Sequence, residues 1–182
     1  LEFLSCIPGS IGGGIIMNSG CYGNDISQVV LSINVIDLDD CVEKEIKSED
    51  IEFFYRNTNL PKSLIITSVK LKGKFLSKDQ INKIQNKMIE EKKLSQPSQI
   101  KTCGSTFKNI TNVKKAWMLI KETGCDKFNE GDAIISTKHC NFFVNNGKAK
   151  SADIEKLINK VKQEVNKKTG VNLELEIKIV GE

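Results

Sequence analysis

Residues 29–37 alternate between apolar and polar side chains, with Leu31, Ile33 and Val35 set against Ser32 and Asn34. A period of two predicts a half-buried strand, closed by a turn at Asp39-Asp40. The alternation returns over 65–75, IITSVKLKGKF, and predicts a second strand. Between them SEDIEFFYR opens with a short helical turn. The period then changes. Ile81, Ile84 and Met88 recur at helical spacing behind a Ser77/Gln80 capping box, so a helix is expected to about Leu94. QPSQIKTCGSTFKN reads as an extended loop. A helix is expected over 112–122, with Val113, Ala116, Trp117 and Ile120 inward and Gly124 as its stop. DAIIS and NFFVN read as short strands, and NNG as a turn. The best helical pattern follows, with Ile154, Leu157, Ile158, Val161 and Val165 on one face, Ser151 as cap and Gly170 as terminator. VNLELEIKIV closes the chain as a predicted strand, Val171, Leu173, Leu175, Ile177 and Ile179 facing one way and Glu174, Glu176 and Lys178 the other.

One stretch fits neither period. CIPGSIGGGIIMNSGCYGN, residues 6–24, holds six of the 13 glycines and predicts loops whose backbone bends sharply or approaches a flat or anionic ligand closely. It is neither a dinucleotide fingerprint behind a strand nor a P-loop. A β-rich beginning followed by mixed elements predicts an α+β fold in two subdomains, joined near Ser95 to Ser98.

Composition narrows the function classes. The 182 residues are 39% hydrophobic and 27% charged, as in a globular protein, with a net charge of only +4. Lysines are interspersed with acids and no basic stripe carries aromatics, which argues against nucleic acid as a partner. No apolar run is long enough for a membrane span, and no signal peptide is visible. The chain starts at Leu1 and its first methionine is Met17, so it reads as a piece of a longer protein. Six cysteines without a C-x-x-C pair, beside the single His139, predict reduced cytoplasmic thiols and no metal site.

The chemistry is concentrated in a few positions. Arg56, in FFYRN, is the only arginine among 27 basic residues. A planar, permanently charged fork is needed where a carboxylate or enolate must be gripped at two points, and lysine cannot supply it. On Arg56 alone, chance and function both remain open. Ser105, in CGSTFKN, lacks the G-x-S-x-G elbow of a hydrolase, so a turn hydroxyl is its default reading. Glu174 and Glu176 are equivalent by pattern.

Taken in order, SIGGGIIMNSGCYG, FFYRN, CGSTFKN, KHCNFFVN and LELEIKIVGE resemble the UDP-N-acetylenolpyruvoylglucosamine reductase family over essentially the whole chain. The resemblance implies a flavoenzyme that uses FAD and NADPH to reduce the enolpyruvyl group of UDP-N-acetylglucosamine enolpyruvate to UDP-N-acetylmuramate, in peptidoglycan synthesis. It implies a partial FAD-binding domain of the vanillyl-alcohol-oxidase-like flavin fold at 1–95, with 173–182 returning to it, and a small α+β substrate-binding domain at 96–172. The rest of the flavin subdomain would lie in a segment absent from these residues. A catalytically incomplete fragment that still binds UDP-sugar is the alternative.

Carried over position by position, the resemblance makes Arg56, Ser105 and Glu176 catalytic and so favours Glu176 over Glu174. Leu175 stands where the family motif has proline. The resemblance places Ile7, Pro8, Gly9, Ser10, Gly12, Gly13, Asn18, Gly20, Tyr22 and Gly23 along the cofactor, and Tyr55, Asn109 and His139 along the substrate. The complete protein would be a cytoplasmic monomer with no nucleic-acid or membrane partner.

Overall fold

A computed structural model of the chain describes residues 1–110 and 114–181. It divides into two compact units, Leu1–Lys92 and Lys93–Glu182. The fold is α+β, as the mixture of periods predicts.

The first unit opens with a 3-10 turn at Glu2–Cys6 and then a short helix, α1 (Ile11–Ile16). Two tiny strands follow, β1 (Gly20–Cys21) and β2 (Asn24–Asp25), paired antiparallel. The main sheet is built from β3 (Val30–Asp37) and β4 (Glu43–Lys47). After a 3-10 turn at Ser48–Asp50 comes a second minimal hairpin, β5 (Phe53–Phe54) and β6 (Asn57–Thr58). β7 (Leu64–Leu71) then completes the sheet in the order β4-β3-β7, all antiparallel. Helix α2 (Lys78–Ser95) follows, and the division between the units falls within it. The Ser77/Gln80 box forms as expected, with the Ser77 N–H donating to Gln80 Oε1 at 3.0 Å and the Gln80 N–H to Ser77 Oγ at 3.3 Å.

Two expectations here are corrected. The glycine-rich stretch was expected to be loop throughout, yet IGGGII is helical. Three glycines cost a helix about 1 kcal/mol each relative to alanine. Packing and a cap offset that: Ser10 Oγ accepts the Gly13 N–H at 3.1 Å, and Ile15 is fully buried against Ile26 and Ile33 in the unit's core. The glycines let the helix lie close to its neighbours, since a Cβ on Gly12 would meet Ile66 Cβ at 3.5 Å and one on Gly14 the Ile26 side chain at 3.4 Å. Leu31 was expected to face inward with Ile33 and Val35, but it is exposed and Val30 is buried in its place. A register shift between Val30 and Ser32 reverses the alternation there.

The second unit begins with β8 (Lys101–Ser105), in the stretch read as loop. It continues through α3 (Ala116–Glu122), β9 (Asn129–Glu130), β10 (Ala133–Ile135), β11 (Phe142–Asn145) and α4 (Ser151–Thr169). The strands form one antiparallel sheet in the order β8-β11-β10-β9, and α4 covers it with Leu157, Ile158, Val161 and Val165 fully or almost fully buried. Gly170 ends α4 in the left-handed conformation, φ 70°. The predicted start of α3 at Asn112 and Val113 lies outside the described residues. Trp117, expected inward, sits at the surface of α3, while Ala116, Leu119 and Ile120 fill the core.

The C-terminal segment departs furthest from expectation. VNLELEIKIV is not a strand; only Leu175 pairs, in a single antiparallel bridge with Phe107. The segment 173–182 was expected to return to the first domain, but its described residues, 173–181, are grouped with the second unit. Leu173 is buried in that unit's core, with Val171, Leu175 and Ile177 packed against it. The alternation is therefore real as a pattern of burial, but Ile179 lies beyond it, more than half exposed.

Candidate functional site

In the first unit the glycine-rich segment and the arginine hairpin are joined by three hydrogen bonds. Asn18 Nδ2 donates to the Phe54 carbonyl at 3.1 Å, Arg56 Nη2 to the Gly20 carbonyl at 3.1 Å, and Thr58 Oγ1 to the Ile16 carbonyl at 3.4 Å. Tyr55 and Arg56 form the two-residue loop between the Phe54 and Asn57 pairing positions. The Arg56 guanidinium lies 4.9 Å from the Tyr55 ring centroid. Arg56 itself has φ 56°, a left-handed conformation that costs a side-chain-bearing residue about 1–2 kcal/mol.

That strain is not isolated. The described residues include five non-glycines at positive φ, and three of them, Asn18, Tyr22 and Arg56, were singled out from sequence as site residues. Such strain persists only where surrounding contacts enforce it. Tyr22 and Gly23, at φ 54° and 78°, are the two central residues of the β1–β2 hairpin, the backbone pattern of a type I′ turn. The Tyr22 hydroxyl donates to the Met88 carbonyl of α2 at 2.7 Å. Beside them, burial pushes the Cys21 thiol above its ordinary pKa, against the opposing pull of Lys92 and Arg56. Its Sγ contacts the Phe3 carbonyl at 3.2 Å.

A cavity of about 270 Å³ opens on α1. Ile7, Pro8, Gly9, Ser10 and Gly13, among the residues that the resemblance places along the cofactor, line it. Gly12, Asn18, Gly20, Tyr22 and Gly23 do not. Sequence reasoning missed Leu4, Ile11, Gly14, Met17, Ser19 and Ile26. A signal for part of this was present: Ser10, Gly13, Gly14 and Met17 recur at i, i+3, i+4 and i+7, one helical face. It went unread because glycine was taken to exclude helix.

In the second unit, Ser105 ends β8 opposite Phe142, directly after Gly104 at φ 88°. The following backbone is held by one buried side chain, Asn141. Its Oδ1 accepts the Phe107 N–H at 3.0 Å and its Nδ2 donates to the Phe107 carbonyl at 2.8 Å, while its own carbonyl accepts the Thr106 N–H at 2.7 Å. Asn141 thus serves Phe107 as a strand partner on the side away from Leu175. It stands in KHCNFFVN but was not singled out, because NFFVN was read simply as a strand and the pattern does not show which backbone the Asn141 side chain meets.

Glu176 lies next to this segment, its N–H donating to the Thr106 carbonyl at 2.9 Å. The structure therefore brings Ser105 and Glu176 onto adjoining backbone. It also separates the two glutamates. Glu174 is exposed and pairs loosely with Lys108 at 3.6 Å, whereas Glu176 is half-buried.

Asn109 Oδ1 accepts the Ala116 N–H at 3.2 Å, which satisfies a donor in the first turn of α3. His139 is half-buried, its ring 4.9 Å from Phe142 and 6.4 Å from Trp117, with Nδ1 accepting the Asn141 N–H at 3.3 Å. Burial lowers the His139 pKa below its usual 6.5, so its imidazole is neutral at pH 7.

The candidate residues thus fall into two clusters, a glycine-lined cavity with an arginine turn in the first unit and a serine and a glutamate on neighbouring backbone in the second. Residues 96–180 match the family model described as UDP-N-acetylenolpyruvoylglucosamine reductase, C-terminal domain. UDP-N-acetylenolpyruvoylglucosamine reductases from Wolbachia pipientis wMel and from Pelagibacter ubique are each 45% identical over 181 residues, covering 100% and 98% of this chain and 61% and 60% of those proteins. The crystal structure of UDP-N-acetylenolpyruvylglucosamine reductase from Thermus caldophilus superposes with a TM-score of 0.86 at 33% identity, over 98% of this chain and 63% of that one. The chain belongs to the UDP-N-acetylenolpyruvoylglucosamine reductase family, and spans about three fifths of the length of the curated relatives it matches.

Proposed function

We propose that this chain carries part of the machinery for FAD-mediated, NADPH-dependent reduction of UDP-N-acetylglucosamine enolpyruvate to UDP-N-acetylmuramate, a cytoplasmic step of peptidoglycan synthesis. The observation that carries the reading is the joining of the hairpin that bears Arg56 to the glycine-rich segment by three separate hydrogen bonds, one of them from Arg56 itself. Family membership supplies the reaction.

The residues around the α1 cavity fit the flat ring end of a flavin. Ile7, Pro8, Ile11 and Met17 offer apolar walls, and Gly9, Ser10 and Gly13 offer backbone without bulk. At about 270 Å³ the cavity falls below the roughly 300–1,000 Å³ of an ordinary small-molecule pocket, so it suits one portion of a dinucleotide. The first unit is accordingly read as part of an FAD-binding domain of the vanillyl-alcohol-oxidase-like type, and the second as the substrate-binding domain. When bound, the flavin supplies hydride to C3 of the enolpyruvyl double bond.

The protein groups handle charge and protons. Negative charge develops at C2 and spreads into the substrate carboxylate. Arg56 grips that carboxylate with its planar fork and stays charged throughout. Ser105 delivers the proton to C2. A hydroxyl is a weak acid in water, and it acts here by being held within about 3 Å of a strongly basic carbon. Glu176 polarises the acid end of the substrate. Tyr55, Asn109 and His139 are assigned to the sugar nucleotide, where a neutral His139 hydrogen-bonds and stacks without adding charge.

A second reading is favoured by the small volume of the α1 cavity, about 270 Å³: a unit that recognises UDP-sugar without holding the cofactor. Titrating the 182-residue chain with FAD and following NADPH oxidation with the enolpyruvyl substrate decides between them. Substoichiometric flavin with UDP-sugar binding retained supports the second reading. A flavin-loaded chain that turns over supports the first for these residues alone. Failure of the complete reading frame to oxidise NADPH in the presence of substrate sinks the reductase reading.

A further inference from the structure

Asn18 was assigned to the cofactor by resemblance, yet it does not line the α1 cavity. It is 6% exposed, and its side chain is engaged on both sides: Nδ2 donates to the Phe54 carbonyl at 3.1 Å, and Oδ1 accepts the Ser27 N–H at 3.2 Å. Phe54 is the last strand residue before the Tyr55-Arg56 loop, and Ser27 belongs to the 3-10 turn Ile26–Gln28, whose Ile26 is fully buried. The amide therefore links the root of the arginine turn to a fixed point of the core. Building on the reading above, we propose that Asn18 is the positioning residue for Arg56, setting the site from which the guanidinium meets a substrate carboxylate.

The geometry requires such a residue. The β5–β6 hairpin has only two pairs, Phe53 with Thr58 and Phe54 with Asn57, and a ladder that short does not hold itself. Its loop must also keep Arg56 at φ 56°, which an unrestrained turn would relax. The bond from Thr58 to Ile16 fixes the far strand, and that from Arg56 to Gly20 fixes the guanidinium itself. Only the Asn18 amide fixes the near strand among these three. Asparagine suits the post for a second reason. Asn18 has φ 40°, and asparagine and aspartate enter the left-handed region more readily than other side-chain-bearing residues.

Asn18→Asp is the direct test. It preserves shape, tolerance of positive φ and the acceptor for Ser27, while it removes the donor to Phe54 and sets a carboxylate oxygen against that carbonyl. In the 182-residue chain, amide exchange in the peptide covering 53–58 rises by roughly tenfold, the equivalent of one lost hydrogen bond, while the β3 peptide is unchanged. In the complete protein, FAD content and flavin reduction by NADPH stay at wild-type level, and turnover of the enolpyruvyl substrate falls by about tenfold to a hundredfold, as for a small misplacement of a reacting group. The loss is non-additive with Arg56→Lys: the double variant is no worse than the poorer single one. Asn18→Gly, which keeps φ and loses both bonds, repeats the pattern if Asn18→Asp misfolds. Exchange at 53–58 that does not change, flavin lost with either variant, or additive losses would each overturn the assignment. The exchange measurement needs no cofactor or substrate, so its outcome stands apart from that of the reductase reading.

Discussion

Replacing Asn141 by alanine removes two hydrogen bonds from a residue that water cannot reach. Phe107 is fully buried, and its N–H and carbonyl both end on the Asn141 side chain, at 3.0 and 2.8 Å. Leu175 cannot substitute, because the bridge at that side is carried by Thr106, Lys108, Glu174 and Glu176. Each lost bond removes about 1 kcal/mol, and each orphaned buried group costs a further 1 kcal/mol or more, so the variant should lose roughly 4 kcal/mol. With a urea m-value of about 2 kcal/mol per molar, the midpoint of the second unit falls by roughly 2 M. Trp117, the sole tryptophan, sits in that unit near His139, so its fluorescence follows the affected transition. Asn141→Asp, which keeps the acceptor but sets a buried carboxylate against the Phe107 carbonyl, should lose at least as much at neutral pH. A midpoint change below about 0.3 M for Asn141→Ala would refute the reasoning, because it would mean that the Phe107 backbone finds other partners at no cost.

Arg56→Lys in the complete protein should cost roughly 2–4 kcal/mol of transition-state stabilisation, read from kcat/KM; turnover within about threefold of wild type would remove the argument for a planar grip. Ser105→Ala should leave flavin reduction by NADPH intact and abolish product formation, and a parallel loss of both half-reactions in stopped flow would make Ser105 structural instead. His139 is held neutral by burial, with its folded pKa below the unfolded value near 6.5. The unfolded chain therefore takes up a proton first as pH falls, and stability is lost from about pH 6.5 down to the folded pKa. Urea midpoints measured against pH should show that decline, and His139→Gln should flatten it; an unchanged profile would place the titration elsewhere.

The sequence was legible where one kind of residue has one kind of consequence. Ser77 with Gln80, and the apolar face that Gly170 ends, led directly to two helices because caps and periodicity act locally. It was misread where a tertiary neighbour reverses a local preference. The IGGGII glycines disfavour helix in isolation, and only Ile66 and Ile26, packed against them, explain why the segment is one. β8 carries few β-forming residues and exists because β11 offers a ladder. The C-terminal alternation foretold which residues would be buried but not that just one of them would pair, since pairing depends on a partner strand and burial does not. The site divides in the same way. Singular chemistry marked Arg56, and Ser105 needed a family pattern. The bonding of Asn141 and Asn18 was hidden, because an asparagine that completes another segment's hydrogen bonds looks in sequence like any other polar residue.

Gly20 sets a boundary for anyone who would redesign this turn. A Cβ at that position would stand 2.4 Å from the Asn24 carbonyl oxygen and 2.7 Å from Asp25 Cβ, and the Gly20 carbonyl is the group that receives Arg56. Every other amino acid carries that carbon, so a library randomised at position 20 returns a single letter, and β1 cannot be moved to re-aim the arginine without breaking its pairing with β2. Tyr55 is different: it is half exposed, and its ring lies beside the guanidinium. The sequence space open to engineering the arginine's surroundings therefore lies in the loop and not in the backbone beneath it.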